Sequence, residues 1–202
     1  MSRAPVRLAR FYPIVPDVGW LARTVRLGAT LVQLRIKDAP RAEIVRQTQR
    51  ALEITKAHAC QLVLNDYWDV ALDTGADFIH LGQEDLQAAD LAAIRRAGVR
   101  VGVSTHDEAE LANALAASAD YVALGPIYET RLKAMPWAPQ GLDRIKEWRS
   151  KIDRLPLVAI GGLTPERASS VIAAGADSLA VITDVLTSIE PESRIKLWLR
   201  TF

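Results

Sequence analysis

The sequence predicts an α/β protein folded as a single (β/α)₈ TIM barrel over residues 1–202, with the active site at the C-terminal ends of the strands. Short apolar runs rich in β-branched residues alternate along the chain with longer amphipathic stretches. The runs show little polar alternation, which is typical of parallel strands covered on both faces. The predicted strands are residues 11–15, 30–34, 61–64, 78–81, 100–103, 121–124, 157–160 and 178–182.

The segments between these runs carry helix signals. Residues 42–57 place apolar and small side chains near one face, and Thr164 followed by Pro165 is typical of a helix N-cap with proline at the first helical position. A second helix is predicted over 107–117. Three helix endings share one pattern directly before a strand, which indicates left-handed C-terminal caps and a repeating βα unit; they occupy residues 74–77, 117–120 and 174–177.

An open, doubly wound sheet is the competing architecture. Such a sheet usually carries a glycine-rich phosphate turn after its first strand, and here Pro16, Asp17, Val18 and Gly19 follow that strand instead. Eight βα units in about 200 residues also suit a closed barrel at the small end of its size range.

Composition excludes several classes of function. The formal charge of +1 provides no global basic field for nucleic acid, and no segment approaches the length of a membrane span. Cys60 is the single cysteine, so an intrachain disulfide and a cysteine zinc cluster are excluded, and we expect a buried apolar role for it. We expect small-molecule partners and a cytoplasmic location; homo-oligomerisation stays open.

Polar side chains follow the predicted second, third and fourth strands. Gln33, Arg35 and Lys37 alternate with apolar residues and so point to one side. Asp66 and Asp85 follow the next two strands, where they could share Mg²⁺, which binds few carboxylates together with water and phosphate oxygens. This pattern indicates a metal–diphosphate site. Solvated basic residues and aspartates that cap helices are the alternative interpretation.

The later strand ends indicate a second anion site. Gly161 and Gly162 follow the seventh strand, and Ile182 and Thr183 follow the eighth. Backbone N–H groups after these strands commonly bind phosphate in barrels, although a tight turn would also explain the two glycines. Ser104 ends the fifth strand at the same predicted face.

Over nearly its whole length the chain resembles the thiamine phosphate synthase family. The segments that carry the resemblance lie at strand ends and occur in one order: QLRIK at 33–37, LNDYWDVAL at 64–72, HLGQEDL at 80–86, GVSTH at 102–106, LGPIYET at 124–130 and VAIGGL at 158–163.

The resemblance implies the reaction and the roles of the residues. A hydroxymethylpyrimidine diphosphate ionises with the help of Mg²⁺, and the thiazole nitrogen attacks the resulting cation. The diphosphate and the pyrimidine would be held by Gln33, Arg35, Lys37, Asn65, Ser104 and Lys133, and Mg²⁺ by Asp66 and Asp85. The thiazole phosphate would be held by Thr130, Arg131, Leu132, Gly162, Ile182 and Thr183. For His80 and His106 we expect structural hydrogen bonds rather than acid–base roles.

The chain departs from the family pattern after the sixth strand. The family usually has Pro-Thr-x-Thr-Lys there, whereas this chain has Leu132 in place of one hydroxyl donor and Glu129 near an expected anion site. Thr183 replaces the usual serine, and Asp184 stands where a small residue is commoner. Two alternatives stay open on this ground: a metal-independent thiazole tautomerase, and a non-catalytic sensor of phosphate ligands or partner subunit.

The altered loop gives a first prediction. Leu132→Thr restores a hydroxyl donor, so we expect tighter binding of thiazole phosphate, measured as a lower Kd. An unchanged or higher Kd would show that the loop binds the phosphate in another way.

Overall fold

The computed structural model describes residues 6–130 and 137–202. Three of the predicted site residues, Arg131, Leu132 and Lys133, lie outside the described residues. Eight parallel strands pair in chain order, and the last pairs with the first through Phe11 beside Leu179 and Pro13 beside Val181. The sheet is therefore a closed barrel, which confirms the predicted fold class and excludes the open sheet.

The strands alternate with helices throughout the described chain. The strands are β1 Phe11–Val15, β2 Leu31–Leu34, β3 Gln61–Asn65, β4 Phe78–Leu81, β5 Arg100–Thr105, β6 Tyr121–Leu124, β7 Leu157–Ile160 and β8 Ser178–Val181. The helices are α1 Val18–Arg26, α2 Arg41–Ala57, α3 Trp68–Thr74, α4 Gln83–Ala88, α5 Leu91–Arg96, α6 Glu108–Ala116, α7 Gly141–Ile152, α8 Pro165–Ala173, α9 Thr183–Leu186 and α10 Pro191–Arg200. Every predicted strand is present, and each bound agrees to within two residues.

Two apolar layers hold these elements together. One fills the barrel interior and includes Ile14, Val63 and Phe78. The other lies between the strands and the surrounding helices and includes Trp148 and Trp198, both fully buried. The strands are nearly all apolar because each one contributes to both layers.

The predicted helix ends are confirmed. Gly75, Ser118 and Gly175 all have positive φ, at 78°, 54° and 117°. The aspartates two residues later bind the neighbouring strands: Asp120 Oδ2 accepts from Val101 N at 2.8 Å, and Asp177 Oδ2 accepts from Leu157 N at 2.8 Å. The repeated pattern thus ends a helix and also fixes the start of a strand.

Two composition-based expectations can be compared with the structure. Burial raises the pKa of the Cys60 thiol to about 12, which fits an inert apolar role. No helix within residues 6–130 and 137–202 is long and apolar enough to cross a membrane.

The barrel interior has a close contact between β5 and β6. A Cβ atom added at Gly102 would lie 2.0 Å from Cζ of Tyr121, so the phenol ring occupies the space that any side chain at 102 would need. Tyr121 is fully buried, and its ring therefore cannot move away into solvent. Gly102 is the residue that makes room for Tyr121 inside this narrow barrel.

We expect Gly102→Ala to lower the free energy of unfolding by roughly 3 kcal/mol, the cost of overpacking a rigid core. Gly75→Ala is the matched control, because its Cβ would meet nothing within 4 Å and only the left-handed backbone is strained. For that variant we expect a loss of about 1 kcal/mol. Urea denaturation of both variants measures the difference, and equal losses would contradict the proposed steric role.

Candidate active site

The three polar residues predicted along the second strand lie at different depths. Gln33 is in β2 and is 2% exposed, with its amide inside the barrel. Arg35 follows the strand and is half-buried, and Lys37 is exposed at the rim. The alternation predicted from the sequence is present, since Leu34 and Ile36 are buried in the outer apolar layer. Polar groups therefore run from the barrel interior up to its mouth.

The two predicted metal ligands lie together at this mouth. The carboxyl group of Asp85 lies close enough to that of Asp66 to interact with its negative charge, and Lys37 Nζ donates to Asp66 Oδ2 at 2.6 Å. Asp66 has a positive φ of 64°, and its N–H donates to the carbonyl of His80 at 2.9 Å. The turn after β3 is thus bonded to β4, which places the Asp66 carboxyl beside Asp85.

The electrostatics of the pair favour a cation. Burial and the negative charge of Asp66 raise the pKa of Asp85, while Lys37 opposes the shift. A divalent cation would relieve this repulsion, and Mg²⁺ commonly binds through one or two carboxylates with water and phosphate oxygens completing its shell. No group of three or more His, Cys, Asp or Glu suited to a metal occurs within residues 6–130 and 137–202. The chemistry of this donor pair fits Mg²⁺ bound together with a phosphorylated ligand.

A buried hydrogen-bonded chain links two of the predicted site residues, Gln33 and Ser104. Gln33 Nε2 donates to the Tyr12 hydroxyl at 2.9 Å, and the hydroxyls of Tyr12 and Tyr121 are 3.0 Å apart. His80 Nδ1 lies 2.7 Å from the Tyr121 hydroxyl, and His80 Nε2 lies 2.8 Å from Ser104 Oγ. These five side chains, which we call the interior chain, cross the barrel from β2 to β5.

His80 is held neutral by its surroundings. Burial lowers the pKa of its imidazole to about 4; the charge of Asp66 acts against this shift and that of Arg35 adds to it. Both ring nitrogens have hydrogen-bond partners, and the ring stacks on Tyr121 with centroids 5.5 Å apart. The structural hydrogen bonding expected for His80 is confirmed.

His106 also has a structural arrangement. Its Nδ1 lies 2.7 Å from Glu110 Oε2, and its ring stacks on Trp137 with centroids 5.4 Å apart. Gln140 Nε2 donates to the His106 carbonyl at 2.7 Å. These contacts attach the start of α7 to the end of β5.

The predicted phosphate turn packs tightly on the loop after β6. Gly161 and Gly162 have φ values of 100° and 63°. A Cβ at Gly161 would lie 2.6 Å from Cα of Pro126, and one at Gly162 would lie 2.5 Å from the carbonyl oxygen of Glu129. Both positions therefore require glycine, which leaves the backbone of this turn uncovered by side chains of its own.

The other predicted thiazole phosphate residues are near this turn. β7 and β8 are paired, with Ile160 beside Ala180, so Gly162 and the Ile182–Thr183 segment follow adjacent strand ends. Thr130 lies in the loop that packs on Gly162, at the limit of the described residues. The residues predicted for the two anion sites thus follow strands on different sides of the closed barrel, β2 to β4 and β7 to β8.

Two acidic departures from the family pattern have contrasting surroundings. The Asp184 carboxylate accepts from Arg194 at 2.8 and 2.7 Å and from Trp198 Nε1 at 2.7 Å. It therefore joins α9 to α10, and its charge is neutralised away from the mouth. Glu129 is exposed at the rim. The Asp184 substitution is structural, whereas Glu129 remains a charged neighbour of the phosphate turn.

Comparisons with known proteins agree with this geometry. Residues 12–185 match the thiamine monophosphate synthase family. The chain belongs to this family. A thiamine-phosphate synthase of Rhizobium etli is 57% identical over 96% of this chain and 95% of its own length, and one of Serratia proteamaculans is 46% identical over 86% of this chain and 82% of its own.

A solved structure shows the same fold. The thiamine phosphate pyrophosphorylase of Pyrococcus furiosus superposes with a TM-score of 0.83 at 27% identity, covering 95% of this chain and 94% of its own. Family membership confirms the resemblance identified from the strand-end segments. It also confirms the predicted enzyme class, a transferase of thiamine phosphate synthesis.

Sequence reasoning assigned no individual role to three residues that lie in or beside the candidate site. Tyr12 and Tyr121 lie within apolar strands rather than at their ends, and Gln83 donates from α4 to the Ser104 carbonyl at 2.7 Å. A signal for the tyrosines was present. A tyrosine at an inward strand position has a hydroxyl that needs a partner inside the barrel. Gln33 in β2 and His80 in β4 are polar residues that can supply such a partner.

The lowered pKa of His80 predicts a pH-dependent stability. As the pH falls from about 6.5 to 4, the unfolded chain takes up a proton on this residue while the folded protein resists it, so folding becomes weaker. We expect this residue to account for a loss of about 3 kcal/mol between pH 7 and pH 4. Unfolding free energies of the wild type and His80→Asn, measured at both pH values, isolate that contribution. Parallel pH profiles would contradict it.

Proposed function

We propose that the chain condenses 4-amino-2-methyl-5-hydroxymethylpyrimidine diphosphate with thiazole phosphate, giving thiamine phosphate and pyrophosphate. The observation that carries the proposal is the proximity of the Asp66 and Asp85 carboxyls, with Lys37 bonded to Asp66, at the mouth of the barrel. Two adjacent carboxylates with a basic residue suit a metal-bound diphosphate better than they suit a neutral ligand. The named activity of the relatives supports the same substrates.

The diphosphate half uses basic and acidic residues together. Asp66 and Asp85 would hold Mg²⁺, which supplies stabilisation of the negative charge on the departing pyrophosphate. Lys37 and Arg35 lie on the same side and add positive charge where that negative charge accumulates. Because these groups are in place before the bond breaks, they lower the barrier without rearranging.

The thiazole half requires positioning more than acid–base chemistry. The thiazole nitrogen attacks through its own lone pair, so no side chain has to remove a proton from it. The backbone at Gly162 and the segment at Ile182–Thr183 would hold the phosphate at the opposite side of the mouth. Holding both fragments in line converts an encounter in solution into a reaction between oriented groups.

The first experiment measures pyrophosphate release by the purified protein, with and without the pyrimidine diphosphate, thiazole phosphate and Mg²⁺. We expect release that requires all three components and yields thiamine phosphate. Turnover of a thiazole carboxylate phosphate without metal would favour the tautomerase instead. Ligand binding without turnover would favour the sensor.

Asp85→Ala tests the metal site. We expect turnover at limiting Mg²⁺ to fall at least about 100-fold, because a metal that stabilises transition-state charge contributes several kcal/mol. Stability in metal-free buffer should be unchanged or higher, since the raised pKa of Asp85 shows that its ionised form is disfavoured in the fold.

The matched control for this variant is Asp90→Ala. Asp90 lies five residues after Asp85, between α4 and α5, and caps α5 by accepting from Ala93 N at 2.8 Å. Its loss should cost about 1 kcal/mol of stability and leave the Mg²⁺ dependence unchanged. If the Asp85→Ala variant turned over as fast as the wild type at limiting Mg²⁺, Asp85 would not be a metal ligand.

A further inference from the structure

The interior chain joins its five side chains through four consecutive hydrogen bonds. Four of its members, Gln33, Tyr12, Tyr121 and His80, are between 0 and 8% exposed, and Ser104 is half-buried at the mouth. Successive polar atoms are 2.9, 3.0, 2.7 and 2.8 Å apart. Every distance is that of a good hydrogen bond, so the protons in the chain have to be shared out consistently.

Counting protons gives the chain a direction. Gln33 Nε2 faces Tyr12 and donates to its hydroxyl. Tyr12 then uses its single proton toward Tyr121, and Tyr121 uses its own toward His80 Nδ1. His80 must therefore carry its proton on Nε2, which donates to Ser104 Oγ. In this arrangement each of the four contacts has one donor and one acceptor.

With Gln33 Nε2 facing Tyr12, the reverse proton arrangement leaves a donor without an acceptor. If His80 Nδ1 carried a proton, Tyr121 would accept from it and donate to Tyr12. The Tyr12 hydroxyl proton would then face the N–H of Gln33, with no acceptor left among these five groups. A buried donor without a partner costs as much as a lost hydrogen bond or more.

The direction decides what Ser104 can do. Because its oxygen already accepts from His80, the hydroxyl proton of Ser104 is free to point toward the mouth. We propose that Tyr12 and Tyr121 are positioning residues that fix the His80 tautomer and so make Ser104 a hydrogen-bond donor to the bound pyrimidine diphosphate. The identity of that ligand rests on the proposed function, whereas the direction of the chain does not.

A donor at this place suits the reaction. The diphosphate oxygens become more negative as the bond to the pyrimidine breaks, and a donor oriented beforehand stabilises them. If the chain ran in reverse, Ser104 would donate to His80 and present only lone pairs to the ligand. The interior chain thus determines whether Ser104, at the mouth, donates or accepts a hydrogen bond, although the chain begins at Gln33 across the barrel.

The first test reads the tautomer directly in the ligand-free protein. The sequence contains three histidines, so ¹⁵N imidazole spectra are simple, and His80→Asn identifies the signal of His80. We expect a protonated Nε2 and an unprotonated Nδ1 at neutral pH. A protonated Nδ1, with or without a protonated Nε2, would overturn the proposal whether or not the protein makes thiamine phosphate.

The second test removes one hydroxyl from the middle of the chain. Tyr121→Phe keeps the ring that packs on Gly102 and removes only its hydroxyl, which donates to His80 and accepts from Tyr12. We expect a mixture of His80 tautomers, and a kcat about tenfold lower with KM for the pyrimidine diphosphate within about twofold, as for loss of a hydrogen bond made in the transition state.

Thr105→Val is the matched control. Thr105 is the neighbour of Ser104 on β5 and is fully buried, but it points out of the barrel, where it donates to the Ala123 carbonyl and accepts from Trp148 Nε1. Its loss should reduce stability and leave the His80 tautomer and kcat unchanged. If Thr105→Val lowered kcat as Tyr121→Phe does, the effect would be one of general stability and the proposal would fail.

A double-mutant cycle completes the argument. In a Ser104→Ala background, Tyr121→Phe should cause no further decrease in kcat, because its effect passes through the Ser104 hydroxyl. Independent, multiplicative decreases would show that Tyr121 acts by another route. A wild-type tautomer with reduced activity in Tyr121→Phe would lead to the same conclusion.

Discussion

Closure of the parallel sheet is the constraint on which the rest of the structure depends. Once β8 pairs with β1, alternate side chains of every strand are enclosed where water cannot reach them. Most of the interior is filled by apolar residues, and the polar ones have to bond to one another. The interior chain from Gln33 to Ser104 is the result of this requirement.

The same enclosure explains the position of Gly102. The Tyr121 ring occupies the volume beside Gly102, where any side chain at position 102 would have stood. The Tyr121 hydroxyl then reaches both Tyr12 and His80. A packing detail between two strands therefore determines which polar groups can meet in the interior.

At the mouth of the barrel, the arrangement of side chains depends on their charges more than on their packing. Asp66 and Asp85 repel each other, and Lys37 partly compensates by pairing with Asp66. On the other side, two glycines leave backbone uncovered, and Asp184 is bound by Arg194 and Trp198 so that its charge does not oppose an anion. One side of the mouth thus carries a carboxylate pair with a lysine, and the other carries a glycine turn.

The sequence by itself determined the barrel and the strand ends at which candidate site residues were sought. Apolar runs of regular spacing gave the strands because parallel strands are buried on both faces. Asp66, Asp85 and Gly162 were identified because barrel chemistry gathers at strand ends, where a polar residue after an apolar run is easily recognised. The sequence also showed that Asp184 departs from the family pattern. It did not show that the Asp184 carboxylate is paired, because Arg194 and Trp198 contact it from another helix.

Only the tertiary structure decided how deep each polar residue lies and which residues it contacts. Gln33 was predicted at the mouth with Arg35 and Lys37, yet it is buried and bonded to Tyr12, because a strand pattern gives the face of a residue but not its depth. Tyr12 and Tyr121 are 109 positions apart in the chain and meet across the barrel. Local sequence periodicity carries no information on such a contact, which exists because the sheet closes.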